Sequence, residues 1–247
     1  MYKAEGARKP LIHCITNPIA MNQSANAVLA LGARPIMAEH PLEVAEITET
    51  ADALLLNLGN ISDSRMQSME ISFAVANKKG IPVVIDAVGV ACSKLRRDFL
   101  MRLLSGHKSQ VIKGNYSEIF ALFNEGYKSS GVDAIDNFSS EEYLQAILQV
   151  SDRYNSIILA TGSEDLIVYE GNVVKVSGGS SQLSTVTGTG CMLGTIVATA
   201  LAFDNSIQAV ERACCFFKKC GEKAETEKGG GTFMVNLLDA IGEKDGF

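Results

Sequence analysis

The sequence predicts an α/β fold: a mostly parallel central sheet covered by helices on both faces, with an antiparallel hairpin at one edge. Two observations carry that reading. Short, apolar, β-branched runs alternate with longer helical patterns, and repeated strand–helix–strand order is the mark of a parallel sheet buried on both sides. One late segment breaks the alternation, placing a turn signal between two apolar runs.

The strands are read at Ala51 to Asn57, Ile81 to Ala87, Gln110 to Asn115 and Ser156 to Gly162. Each is short and apolar and ends in polar or glycine residues. Helices are expected at Ser64 to Lys79, Lys94 to Leu104 and Ser140 to Arg153. Asp165 to Ser177 reads as the hairpin, turning at Glu170-Gly171-Asn172. Beyond it the pattern is helical, at Gly190 to Phe203, Ser206 to Cys220 and Thr232 to Ile241. The polar, glycine-ended stretch Gly221 to Gly231 is expected to contain a loop. With no internal repeat and no linker composition, residues 1–247 read as a single domain.

Composition narrows the function. Apolar residues make up 47% of the 247, enough for a sizeable core, and charged residues only 20%, which argues against disorder. The net charge of −6 argues against bulk nucleic-acid binding. It does not argue against a phosphate pocket, because backbone dipoles bind anions on an acidic protein. The six cysteines (Cys14, Cys92, Cys191, Cys214, Cys215, Cys220) form no CxxC pair, and His13, His40 and His107 are scattered, so no zinc pattern is visible. The opening, Tyr2 to Lys9, is polar and basic, unlike a signal peptide, and no apolar run is long enough to span a membrane. The expectation is a cytoplasmic protein with reduced thiols.

In a parallel sheet, ligands bind at the carboxyl ends of the strands, so the polar residues there are the first candidates. The strongest local motif, however, precedes a helix: "TVTGTGCMLG", Thr185 to Gly194. Gly188 and Gly190 alternate with hydroxyl residues, Thr189 among them, and run into an apolar helix. Glycines let backbone N–H groups converge with no Cβ in the way, and the helix end adds partial positive charge. The result is an anion hole suited to a phosphoryl group in transfer. The competing reading is an ordinary tight turn. Cys191 falls in the first helical turn, where the helix end is expected to lower its pKa. It could accept a proton or position a hydroxyl, or simply pack beneath the loop.

"VIKGNYSEI", Val111 to Ile119, is the second motif. Lys113 could meet nucleotide phosphate, and Asn115 and Glu118 could hold Mg²⁺ through water, since that ion keeps several waters. Equally, Asn115 could be a helix N-cap with Glu118 as its capping partner. Asp86, ending "IPVVID", is placed for metal or phosphate work or for capping the next turn. Thr161, in "LATGSED", could bond a phosphate or steady the start of the hairpin.

The segments "PLIHCITNPIAMNQSANAVLALGARPIM" (Pro10 to Met37), "LLLNLGNIS" (Leu54 to Ser62), "VVIDAVGV" (Val83 to Val90), "IKGNYSEI" (Ile112 to Ile119) and "VTGTGCMLG" (Val186 to Gly194) occur in that order. Together they resemble the hydroxyethylthiazole kinases, from about Pro10 to Leu238. The resemblance implies a ribokinase-like three-layer α/β/α fold, with ATP and Mg²⁺ as cofactors. It also implies a homotrimer with active sites between subunits and phosphorylation of a thiazole alcohol. Met37 and Gly188 match thiazole-contacting residues, and Asn22 and Gly59 join them in the implied substrate set. Lys113, standing where many members carry Arg, and Thr161 match ATP-contacting residues, with Asn115 beside them. Asp86 and Glu118 match the acidic pair near the metal. Cys191, with Gly188, Thr189 and Gly190, matches the catalytic loop; it stands where related sugar kinases carry Asp.

The chain departs from the family pattern at three places: Pro18 follows Asn17, Ala87 stands where Pro is usual, and Gly230 replaces a Pro. The alternatives are another enzyme of this fold, either a kinase for a hydroxymethylpyrimidine or a sugar or a nucleotide-dependent dehydratase, or a nucleotide-binding regulator without turnover. Cys191 disfavours the first, and the filled set of catalytic positions disfavours the second.

Overall fold

The computed structural model describes residues 8–124, 126–127 and 140–243. Most of the polar opening at Tyr2 to Lys9 lies outside them. One eight-stranded sheet organises the chain, in the order β2-β1-β3-β4-β5-β6-β7-β8. The strands are β1 (Leu11–Ile15), β2 (Arg34–Ile36), β3 (Ala53–Asn57), β4 (Val83–Asp86), β5 (Val111–Asn115), β6 (Ile157–Thr161), β7 (Asp165–Tyr169) and β8 (Asn172–Val176). The first six are parallel and the last two antiparallel. The hairpin forms as the sequence predicts, although Asn172 already pairs with Tyr169. Only Glu170 and Gly171 turn, at φ 49° and 75°. Two consecutive positive φ values match the twist of the flanking strands.

The apolar runs are continuous rather than alternating because both sheet faces are buried. On one face Leu55, Val84, Val111 and Leu159 pack with α1 (Met21–Ala30), α7 (Thr189–Phe203), α8 (Ile207–Ala224) and α9 (Gly230–Gly242). On the other, Leu54, Leu56, Ile85 and Ile112 pack with α2 (Val44–Thr50), α3 (Asp63–Lys79), α4 (Lys94–Gly106), α5 (Tyr116–Phe123) and α6 (Ser140–Tyr154). Among the described residues, no helix is long and apolar enough to cross a membrane.

Two features of this frame position the site. From β1 the chain steps outward to β2 through α1, then returns past β1 to β3 through α2. The chain thus leaves β1 into α1 on one face and leaves β3 into α3 on the other, and such switch points are where open α/β sheets bind ligands. The second feature is α7, which packs across β1, β3 and β4. Met192, Ile196, Val197 and Ala200 on it are all buried, as its all-round apolar sequence requires. Its amino end therefore meets the switch point.

The stretch Gly221 to Gly231 contains the expected loop, but α8 persists to Ala224, so only the next few residues are irregular. The strand–helix–strand arrangement of Leu11 to Ile36 was not among the elements read from the sequence.

Candidate active site

Helix ends decide what this site can bind. Side chains cap α3 (Ser62 accepts from Arg65 N), α4 (Ser93 from Arg96 N) and α8 (Ser206 from Ala209 N). The amino end of α7 differs from these three, sharing with α1, α2 and α9 the lack of a side-chain cap. Its N-cap is Gly188, at φ 96°, and no side chain caps it. The left-handed conformation is costly for any residue with a Cβ. A Cβ there would also approach the Ala20 methyl to 3.4 Å. Gly188 thus turns the chain so that the first N–H groups of α7 stay uncovered by side chains. Gly190 is exposed within the helix itself.

The neighbouring residues hold this turn in place. The Thr189 hydroxyl donates to Leu183 O at 2.6 Å, so Thr189 braces the loop and offers a ligand only its backbone. Gln182 makes a two-way bond with the backbone of Thr226. A Cβ at Gly230 would come within 3.2 Å of Val186 Cγ2, which places the start of α9 against the same loop.

Beneath the turn lies charge. Lys113 Nζ donates to Asp86 Oδ1 at 3.0 Å, with both side chains buried. Burial alone would pull the Lys113 pKa down; the negative groups around it, Asp86 foremost, outweigh that and hold it above its ordinary value. Burial drives Asp86 upward against the pull of Lys113. A Cβ at Gly190 would lie 3.7 Å from Nζ, and one at Gly194 would lie 3.4 Å from Asp86 Oδ2. The ion pair therefore sits under the first turns of α7. The Ala87 N–H, which a proline would lack, donates to Lys113 O at 2.7 Å.

Glu118 is also buried. Its Oε2 accepts from Asn115 N and its Oε1 from Gly89 N, while Asn115 Oδ1 accepts from Glu118 N. The capping box read from the sequence is present. Burial, with the Asp86 charge behind it, pushes the Glu118 carboxyl up to about 7 against those two backbone donors.

Cys191 corrects an expectation. Its thiol lies above, not below, its ordinary pKa. Burial is the main cause and the Asp86 carboxylate the next; Lys113 and hydrogen bonds from Asn17 and Asn57 only partly offset them. Its Sγ accepts from Asn17 Nδ2 at 3.3 Å.

Gly59 adjoins Asn17 and Asn57: its N–H donates to Asn57 Oδ1, and a Cβ there would meet Asn17 Nδ2 at 2.8 Å. The Thr161 hydroxyl, ending β6, donates to Gly114 O, in the strand register that sets Thr161 opposite Asn115. Met37 follows β2, half-buried against the core. Asn22 is exposed in the first turn of α1, two residues past Ala20, and accepts from Asn26. Sequence reasoning missed Asn17 and Asn57. The available signal was that each lies at or just past the end of a buried apolar strand. Among the described residues, no three His, Cys, Asp or Glu side chains come together as a metal-ligand set.

The hydroxyethylthiazole kinase family model matches residues 4–244. Hydroxyethylthiazole kinase 2 of Clostridium botulinum (strain Kyoto / Type A2) is 43% identical over 239 residues, covering 95% of this chain and 90% of its own. The Finegoldia magna hydroxyethylthiazole kinase is 39% identical over 231 residues, covering 94% and 85%. The structure of the Pyrococcus horikoshii OT3 hydroxyethylthiazole kinase superposes with a TM-score of 0.86 at 34% identity, over 95% of this chain and 88% of that one. A ribokinase-like superfamily protein of Enterococcus faecalis V583, at 15% identity and a TM-score of 0.66, covers 94% of this chain and 86% of its own and shares the fold.

Proposed function

The chain belongs to the hydroxyethylthiazole kinase family, and we infer from that premise that it phosphorylates the hydroxyl of 4-methyl-5-(2-hydroxyethyl)thiazole, giving the thiazole phosphate used in thiamine biosynthesis or salvage. The phosphoryl donor is ATP. The observation that carries the reading at the level of residues is the uncapped amino end of α7 above the buried Lys113–Asp86 pair. Phosphoryl transfer needs little covalent help from protein; it needs positioning and stabilisation of charge on the transferring group. Backbone donors already aimed at that point stabilise it with no reorganisation.

In this account Gly188, Thr189 and Gly190 hold the transferring phosphoryl group through their backbone N–H groups. Lys113 supplies positive charge from below, while Thr161 and Asn115, at adjacent strand ends, orient the nucleotide. Cys191 places the substrate hydroxyl in line, with Met37, Asn22, Gly59 and Gly188 around the thiazole. At neutral pH a thiol with a raised pKa is protonated, which favours positioning over deprotonation as its role.

Mg²⁺ fits Asp86 and Glu118 in one way. Each of the four carboxylate oxygens accepts one hydrogen bond from the protein and keeps a second lone pair, which suits a hydrated ion held through its waters. When bound, the ion would neutralise phosphate charge. The remaining elements of the proposal are a single domain over residues 1–247, a cytoplasmic location, and a homotrimer whose neighbouring subunits complete one another's thiazole pockets. A coupled ADP-release assay with hydroxyethylthiazole, hydroxymethylpyrimidine and ribose tests the activity. Preference for the thiazole by roughly 100-fold or more in kcat/KM is expected, as for a pocket built around one ligand. Preference for either other alcohol refutes it.

A further inference from the structure

At the switch point, two side-chain amides link the Asp86 carboxylate to the Cys191 thiol. Asn57 Nδ2 donates to Asp86 Oδ2 at 3.0 Å. Asn17 Nδ2 donates to Asn57 Oδ1 at 3.0 Å and to Cys191 Sγ at 3.3 Å. The remaining acceptor capacity is also used: Asn17 Oδ1 takes the Ala20 N–H at 3.0 Å, and Asn57 Oδ1 takes the Gly59 N–H at 2.9 Å. Both asparagines are buried.

The direction of this chain is over-determined. An ionised carboxylate only accepts, and a backbone N–H only donates. Flipping Asn57 would set its oxygen against Asp86 and its NH₂ against the Gly59 N–H. Flipping Asn17 would set its NH₂ against the Ala20 N–H. Neither end can be reversed without burying unsatisfied polar groups, which is costly. Buried networks satisfied at every member are rigid.

We propose that Asn17 and Asn57 are positioning residues, through which the Asp86 carboxylate fixes the Cys191 sulfur as a hydrogen-bond acceptor toward the floor of the crevice and leaves its S–H for the substrate hydroxyl. The catalytic part of this rests on the kinase reading above; the orientation of the thiol does not. The pair bridges the carboxyl ends of β1 and β3, from which the chain departs to opposite faces at the switch point. The same two bonds that close the crevice floor therefore aim the thiol. Gly59 lacks a side chain because one would push into both amides.

The test uses Asn57→Leu and Asn17→Ala, each also in a Cys191→Ala background, with folding checked by circular dichroism and thermal melting. Asn17→Ala removes the donor to Cys191 without adding a charge beside the thiol, and it serves if Asn57→Leu does not fold. Iodoacetamide labelling of each cysteine, followed peptide by peptide against pH without substrate, reads the thiol directly. Loss of the bond from Asn17 should move the Cys191 profile about one pH unit upward, a tenfold change in thiolate fraction, with Cys92 and Cys215 unmoved. In the ADP-release assay kcat should fall about tenfold, as expected for losing one hydrogen bond of about that worth, with KM for ATP within about twofold of wild type. In the Cys191→Ala background the same substitution should cost less than about twofold, because residues acting as a unit are not additive. An unmoved labelling profile in a folded variant, or the same fold-loss in both backgrounds, overturns the proposal. Wild-type inactivity toward the thiazole would overturn the kinase reading alone, since the labelling profile would still decide the orientation of the thiol.

Discussion

Lys113 and Asp86 form a buried ion pair, 3.0 Å between Nζ and Oδ1, under the first turns of α7. Removing one partner of such a pair strands the other in a medium that cannot solvate it. Lys113→Met should destabilise the fold by about 3–5 kcal/mol, read by urea unfolding, and abolish turnover. Lys113→Arg, which keeps the positive charge, should keep most of both. A Lys113→Met protein as stable as wild type would mean that the pair is not buried as described.

Turnover should depend strictly on a divalent metal. With each oxygen of Asp86 and Glu118 already accepting one bond from the protein, metal should bind mainly with nucleotide phosphates. Calorimetry with Mg²⁺ alone should show weak binding that tightens in the presence of ATP. Full activity in excess chelator contradicts this.

Glu118 gives a pH signature in metal-free buffer. Its folded pKa of about 7 lies above the ordinary value of 4.5. The folded state therefore binds more protons than the unfolded chain between these values. Its contribution is fully present below pH 4.5 and is lost as pH rises through 7. Glu118→Gln should flatten that part of the stability–pH curve relative to wild type, as measured by thermal melts from pH 4 to 8. Parallel curves for the two proteins would show that Glu118 titrates normally.

The solution species should be a trimer. Met37 lies in a segment that is apolar and then abruptly polar, Pro35 to Pro41, and it is only half-buried within one chain. Light scattering should give three times the 26.4 kDa chain mass. Met37→Asp in a variant that stays trimeric should raise KM for the thiazole with little effect on KM for ATP. An active monomer refutes the trimer.

How much of this was legible in the sequence depends on the range of the physics involved. The Asn115–Glu118 capping box was readable because its two halves are three residues apart. The Gly188 turn was readable because a glycine before an apolar helix marks a turn there, whether or not that turn binds an anion. The hairpin was readable from its turn chemistry. The thiol of Cys191 was misread because helix position is local, whereas the burial and the Asp86 carboxylate that dominate it come from other strands. Asn17 and Asn57 meet only because β1 and β3 pair, and nothing within either segment announces the other. β1 and α1 escaped notice for a related reason: Leu11–Ile15 is short and interrupted by His13, whose ring bonds Thr48 and Ala38 O on other segments.

The central claim is that the glycine turn at the amino end of α7, more than the thiol beside it, carries the rate. It is tested most directly by kcat/KM for Gly190→Val, Cys191→Ser and Cys191→Asp, each checked for folding by circular dichroism. A Cβ at position 190 points toward Lys113 Nζ at 3.7 Å. The larger Val side chain should crowd the ammonium and the phosphoryl position together. Loss of an anion-hole donor is worth about 100- to 1,000-fold, so Gly190→Val should fall in that range. Cys191→Ser, which keeps size and a hydrogen-bonding oxygen, should lose about tenfold, within the range of a single hydrogen bond. Cys191→Asp should remain active. Gly190→Val near wild type with Cys191→Ser inactive would contradict the account and make the thiol the dominant group.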